Sequence, residues 1–152
     1  MSELRDLYQE MILDHGKRPR NFHALAAASH RAEGHNPLCG DKLTLFLVMK
    51  DGRVAEVGFQ GAGCAISMAS ASLMTEAIRG RTEAEVRGMF ERFHTGLTAR
   101  DDAASASAFA ELDKLMVFGG VREFPIRVKC AALPWHTLVA ALDHVQQPVK
   151  TE

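Results

Sequence analysis

The sequence predicts an α+β domain, a small antiparallel sheet of about three strands packed by helices. Leu43, Leu45, Leu47 and Met49 alternate with Thr44, Phe46 and Val48 and run into Asp51-Gly52, which reads as a strand closed by a hairpin turn. On either side of it, apolar residues recur at helical spacing. With 152 residues, 47% of them hydrophobic, the chain can build one core without disulfide help, so a single domain over 1–152 is expected.

Each element has its own signal. Leu4, Leu7, Tyr8, Met11 and Ile12 form the stripe of an opening helix, with Ser2 placed to cap it and Gly16 after His15 to stop it. A loop containing Pro19 and Asn21 leads to the first strand, and a second strand, from 54 to about 59, pairs back on it. Both faces of the first strand are largely apolar, which predicts a sheet covered by helices. The stretch "GAGCAISMASASLMTEAIRG" reads as a helix of small residues closed by Gly80, with Ile66, Ala69, Leu73 and Ala77 along one face and Cys64 among its first residues. Thr82 and Glu85 form a capping-box pattern ahead of Val86, Met89, Phe90 and Phe93, and that helix ends near Gly96. From about 96 to 120 the signal weakens to an Ala- and Ser-rich segment, read as an insertion in which Leu112, Leu115 and Met116 mark a short helix. Last, "FPIRVKC" runs into a helix carrying Trp135, Leu138, Val139 and Leu142, with Pro134 in its first turn and Cys130 just ahead of it. Pro148 leaves the tail after Val145 frayed.

Composition excludes several classes of function. Eighteen Lys and Arg against nineteen Asp and Glu leave no basic excess for a nucleic-acid groove or a polybasic membrane contact. No apolar run approaches a membrane span, and the amphipathic, early-acidic start is wrong for a secretory signal, so a cytoplasmic protein is expected. Three cysteines are an odd count in a reducing compartment, which disfavours a disulfide framework and leaves a thiol site or three unrelated core cysteines.

Their placement favours chemistry. Cys39 precedes a strand, Cys64 opens a helix after Gly61 and Gly63, and Cys130 precedes the last helix, whereas a core cysteine belongs in an apolar stripe. An acid, Asp41, follows Cys39 by two residues across Gly40. Together Cys39, Asp41, Cys64 and Cys130 would make a tetrahedral three-sulfur, one-oxygen site suited to zinc, or to iron with sulfide; a shared persulfide site is the related reading. Three thiolates and one carboxylate around a divalent ion leave the site about two units negative, so nearby cations are expected, with Arg127 and Lys129 placed for it. The glycines would let backbone approach the ion. His35 and His136 lie near these motifs in sequence but are not taken as ligands. A hydrolytic zinc enzyme is a further option, yet four protein ligands leave no open position for water.

With these residues assembled, the chain resembles the U-type iron-sulfur cluster assembly proteins, the IscU/NifU family, and within it the SufU branch. "LYQEMILDHGKRPRNF", "NPLCGDKL", "GFQGAGCAISMASASLM" and "RVKCAALPWHTL" resemble the family's N-terminal helix and loop and its three cysteine motifs. Lys129 stands where scaffold-type members have a histidine, their Leu-Pro-Pro-Val-Lys motif is absent, and the segment between Cys64 and Cys130 is longer. These features are similar to the SufU branch. The resemblance implies zinc held by the three cysteines and Asp41, and partnership with a SufS-type cysteine desulfurase and with downstream cluster assembly proteins. The expected role is sulfur relay with Cys39 as persulfide acceptor, since its Asn-Pro-Leu loop can move at least cost. The alternative is a scaffold on which a [2Fe-2S] or [4Fe-4S] cluster is built.

Overall fold

A computed structural model describes residues 2–151, with side chains from Asp6 onward; the expected Ser2 cap and the Leu4 contact lie outside those side chains. The alternating residues form β2 (Asp41–Lys50), and Asp51-Gly52 turns the chain into β3 (Arg53–Ala62), with both turn residues at positive φ. Ahead of them lies a strand that the hydrophobic pattern does not announce, β1 (His30–Asn36), antiparallel to β2. Its inward positions are Ala32, Gly34 and Asn36, too small or too polar to register as an apolar alternation. The tail is not frayed. Residues Val149–Lys150 form β4, parallel to β1, and the Thr151 N–H donates to the His35 carbonyl at 3.2 Å. The described strands therefore run in the order β3-β2-β1-β4.

Helices α1 (Ser2–Lys17), α2 (Ala65–Ile78), α3 (Glu83–Thr98) and α4 (Asp102–Phe109), a 3-10 stretch (Asp113–Glu123) and α5 (Pro125–Leu142) complete the chain. α5 and α2 lie against the sheet face that carries Ala32, Leu43, Leu45, Leu47, Val57 and Phe59, all buried, and the other helices pack on these two or on α3. The opposite face, expected to be covered as well, presents exposed Lys42 and half-buried Thr44 and Phe46, the last under the Arg31 guanidinium at 5.8 Å. The outer edge of β3 is protected by the loop before β1. There the Asn21 carbonyl accepts from the Phe59 N–H at 3.0 Å, and Phe22 meets the Phe59 ring edge-on at 5.2 Å.

The last helix begins earlier than the sequence reading placed it. Pro125 is its first residue, Cys130 lies in its second turn, and Pro134 lies inside it. A proline at the first position sets φ for the helix without losing a hydrogen bond, so Pro125 is the true start signal. Pro134 is tolerated deeper in, although it has no N–H to return to the Cys130 carbonyl four residues back. The neighbouring Ala131 carbonyl accepts instead from the Ser70 hydroxyl of α2, at 2.6 Å.

Thr82 caps α3 with the predicted box: its hydroxyl accepts from the Glu85 N–H, and Glu85 accepts from the Thr82 N–H. The weak-signal segment is folded down by aromatic contacts. Phe93 stacks on Trp135 of α5 with ring centroids 4.7 Å apart and meets Phe109 and Phe118 edge-on. At the other end, buried His15 places Nδ1 2.7 Å from the Ser72 hydroxyl, joining α1 to α2. No helix of the described residues is long and apolar enough to cross a membrane.

α5 can sit this close to β1 because of Gly34. A Cβ there would come within 2.1 Å of Thr137 Oγ1 and 3.1 Å of Leu133 Cδ1. Overpacking of this kind costs about 1–3 kcal/mol, and each kcal/mol lowers the melting temperature by about 2–4 °C in a chain of this size. Thermal unfolding of Gly34→Ala should show that loss, and adding Thr137→Ala should recover part of it; equal melting of Gly34→Ala and the native chain would refute the contact.

Candidate metal centre

β1 and β2 form a hairpin whose last cross-strand pair is Asn36 opposite Asp41. Residues 37–40 make the turn between them. Pro37 starts that turn, the Asn36 side-chain carbonyl accepts from the Leu38 N–H at 3.3 Å, and Gly40 takes φ +71°. The loop tip holds Leu38 and Cys39 out to solvent. Asp41, the first residue of β2, falls on the core face with Leu43 and Leu45, and only 1% of it is exposed. The cysteine and aspartate of "LCGD" are thus on opposite sides of a boundary: a thiol on a loop and a carboxylate fixed by the sheet.

Two helices close on this hairpin. Cys64 is the N-cap of α2, in extended conformation, and its backbone N–H donates to Asp41 Oδ1 at 2.8 Å. Cys130 comes from the second turn of α5, 1% exposed, with Sγ 3.2 Å from Cys39 Sγ. The Asn36 amide bridges the two, donating to Asp41 Oδ2 at 3.2 Å and to Cys130 Sγ at 3.4 Å. One donor atom each from Cys39, Asp41 and Cys130 lie within 4.8 Å of one another.

The electrostatics are those of a site short of positive charge. Asp41 has two neutral hydrogen-bond donors and, among the described residues, no Lys or Arg paired with it. Burial pushes the Cys130 thiol well above the ordinary cysteine range, and its hydrogen bonds with Cys39 and Asp41 and its electrostatic interaction with Cys64 and Asp41 act in the same direction. A bound divalent cation inverts that logic, because a coordinating thiol is deprotonated. Two sulfurs and one carboxylate oxygen already converge, and Cys64 meets the carboxylate through its backbone N–H. That donor chemistry fits zinc, or iron with sulfide.

Of the residues singled out in the sequence, Cys39, Asp41 and Cys130 are brought together. The Cys64 sulfur lies outside their mutual 4.8 Å set, although its backbone holds Asp41. Arg127 is exposed in the first turn of α5, and Lys129 is half-buried beside Cys130 with its carbonyl accepting the Thr151 hydroxyl at 3.3 Å. Both are helical residues, and neither pairs with an acid among the described residues. The adjacent glycines serve the protein's own packing. A Cβ on Gly61 would strike the Lys42 carbonyl at 2.1 Å, and one on Gly63 would come within 2.6 Å of both Asp41 Oδ1 and Ser67 Oγ. His136 packs with Phe90 and His94, and His35 follows the strand alternation away from inward-facing Asn36. Asn36 was missed, though an Asn before Pro at the start of a turn was a signal available in the sequence.

The sequence profile of the NifU-like N terminal domain matches residues 7–131, from α1 through the second turn of α5. The chain belongs to this family. The match takes in Cys39, Asp41, Cys64 and Cys130 together. Among relatives of the NifU-like domain, the zinc-dependent sulfurtransferase SufU of Bacillus subtilis is 36% identical over 137 residues, 90% of each chain. The iron-sulfur cluster assembly scaffold protein IscU of Streptococcus pyogenes is 32% identical over 142 residues, 93% of this chain and 86% of that one. In structure, a crystallised candidate cluster assembly scaffold protein for the SUF system from Fervidobacterium islandicum superposes with a TM-score of 0.75 at 33% identity, covering 88% of this chain and 94% of that one.

The geometry of this NifU-like domain predicts a selective cross-link. Metal-stripped protein treated with a mild thiol oxidant should join Cys39 to Cys130 and leave Cys64 open to alkylation, as read by peptide mapping. A dominant bridge involving Cys64 would contradict the arrangement.

Proposed function

We propose that this protein works in iron-sulfur cluster assembly as a zinc-holding acceptor of persulfide sulfur, with Cys39 as the acceptor thiol. The observation that carries the reading is the contrast within one donor cluster: Cys39 is exposed on a hairpin loop while Asp41 and Cys130 are each 1% exposed. A thiol that must meet a partner's active site belongs on such a loop, and its anchors belong in the fold. The sulfurtransferase relative from Bacillus subtilis supports the same reading.

Cys39, Asp41 and Cys130 would hold the zinc, with Cys64 as the fourth ligand from the start of α2. When bound, the ion supplies the positive charge that keeps the buried thiolates ionised and ties the hairpin to α2 and α5. Lys129 and Arg127, on the same helix as Cys130, would offset the negative charge left over. The donor is a SufS-type, pyridoxal-phosphate-dependent cysteine desulfurase carrying a persulfide on its own cysteine. Cys39 thiolate attacks the terminal sulfur of that persulfide, the donor's sulfur-sulfur bond breaks, and the donor cysteine leaves as a thiolate. The terminal sulfur arrives on Cys39 with its proton, so the exchange needs no added oxidant or reductant. Exposed Leu38 beside Cys39 offers apolar surface to the incoming partner. Downstream cluster assembly proteins then take the sulfur.

A second reading, a scaffold for a [2Fe-2S] or [4Fe-4S] cluster, uses the same sulfur-rich donors and is favoured by the scaffold relative from Streptococcus pyogenes. Anaerobic reconstitution with iron and sulfide separates the two, since a cluster that transfers intact to an acceptor protein promotes the scaffold. For the relay, incubation with a cysteine desulfurase and cysteine should add one sulfur to the Cys39 peptide by mass spectrometry. Cys39→Ser should lose both that adduct and any stimulation of the desulfurase. Sulfur found on Cys64 or Cys130 and never on Cys39 would count against the assignment.

A further inference from the structure

We infer that Asn36 is a positioning residue of the metal centre: its side-chain amide holds the Asp41 carboxylate and the Cys130 sulfur in register, and tight metal binding depends on it. This rests on the metal-holding reading above and extends it to a residue that is not itself a ligand.

Asn36 is fully buried, with 0% of its surface exposed, and both ends of its amide are engaged. Nδ2 donates to Asp41 Oδ2 at 3.2 Å and to Cys130 Sγ at 3.4 Å, and Oδ1 accepts from the Leu38 N–H at 3.3 Å. The amide can sit only one way round. A backbone N–H needs the oxygen, and a carboxylate needs the nitrogen. No other side chain of this size carries a donor and an acceptor in that fork: aspartate lacks the donor, leucine lacks both, and serine is too short to span two partners. A single planar group therefore sets the hairpin turn that presents Cys39, orients Asp41, and meets a sulfur from a helix ninety-four positions further along the chain.

The rival explanation is that Asn36 merely shapes the turn. That role uses the oxygen alone, through the bond from Leu38, and a serine oxygen serves such turns as well. The two donor bonds are directed at groups that would face the metal. Hydrogen-bonding partners behind metal ligands orient them and tune their basicity, and their loss typically weakens binding by about 10–100-fold.

Asn36→Ser separates the roles, because it keeps a turn-forming oxygen and loses the two-partner amide. Zinc affinity is measured by competition with a chromophoric chelator for the native chain, Asn36→Ser and Asn36→Ala, with the cobalt-substituted proteins followed by absorption. The expected result is a loss of about 10–100-fold in both variants. The sulfur-to-cobalt charge-transfer band should also shift as Cys130 loses its donor. A serine variant that binds zinc within about twofold of the native chain, with the same cobalt spectrum, overturns the inference alone. A native chain that binds no zinc removes the metal-holding reading, and the inference falls with it. If the serine variant does not fold, Asn36→Asp, equal in shape and in turn-forming oxygen, takes its place. There an altered cobalt spectrum supports the inference, and a spectrum identical to the native one overturns it.

Discussion

Asp41 is a buried carboxylate met by two neutral donors, the Cys64 N–H and the Asn36 amide, and the arrangement of the site follows from satisfying it. Burying an ion costs several kcal/mol even after relaxation, while a hydrogen bond to a charged group returns about 1.5–3 kcal/mol. The Cys130 thiol beside it is pushed toward its neutral form, by burial first and then by Cys39, Asp41 and Cys64. A cation is the group that would stabilise all of them at once, which is why the chemistry of the centre turns on one aspartate.

The fold supplies the rigidity that this arrangement needs. Asp41 is pinned at the end of β2, where strand alternation turns it inward, and Gly63 leaves the space that its carboxylate occupies. α5 reaches the hairpin because Gly34 allows helix and strand to touch, and the Phe93–Trp135 stack ties that helix to α3 and to the segment behind it. β4 adds a further tie on the far side of β1, where Thr151 bridges the His35 carbonyl to that of Lys129, beside Cys130. Cys39 rides instead on the hairpin turn, exposed to solvent. The exposed part of the centre and the buried part are adjacent in sequence.

Much of this could be read from the residues. Strong periodicities announced β2, β3, α1, α2, α3 and the later turns of α5, and the Thr82–Glu85 box marked the start of α3. The Ala- and Ser-rich α4 had no such signal, and the short helix expected around Leu112, Leu115 and Met116 is a 3-10 stretch. What stayed hidden was structure made by packing in place of pattern. β1 offers Ala32, Gly34 and Asn36 to the core, so its burial comes from α5 lying close and leaves no apolar alternation behind. The start of α5 was obscured by two prolines, of which only Pro125 sits where a proline costs no hydrogen bond. At the centre, cysteine counting and spacing found Cys39, Asp41 and Cys130, but could not separate the Cys64 side chain from its backbone, whose N–H makes the contact. Asn36 showed in the sequence as a turn former alone: its place at the centre lies in partners that only the folded chain brings within reach.

The central claim, that distant cysteines and Asp41 converge on one cation, is tested most directly by X-ray absorption at the zinc edge on protein purified without added metal. The account predicts about one zinc per chain, with a first shell of three sulfurs near 2.3 Å and one oxygen near 2.0–2.2 Å. A shell of nitrogen and oxygen alone, or protein that purifies without stoichiometric metal and takes up none, would contradict it.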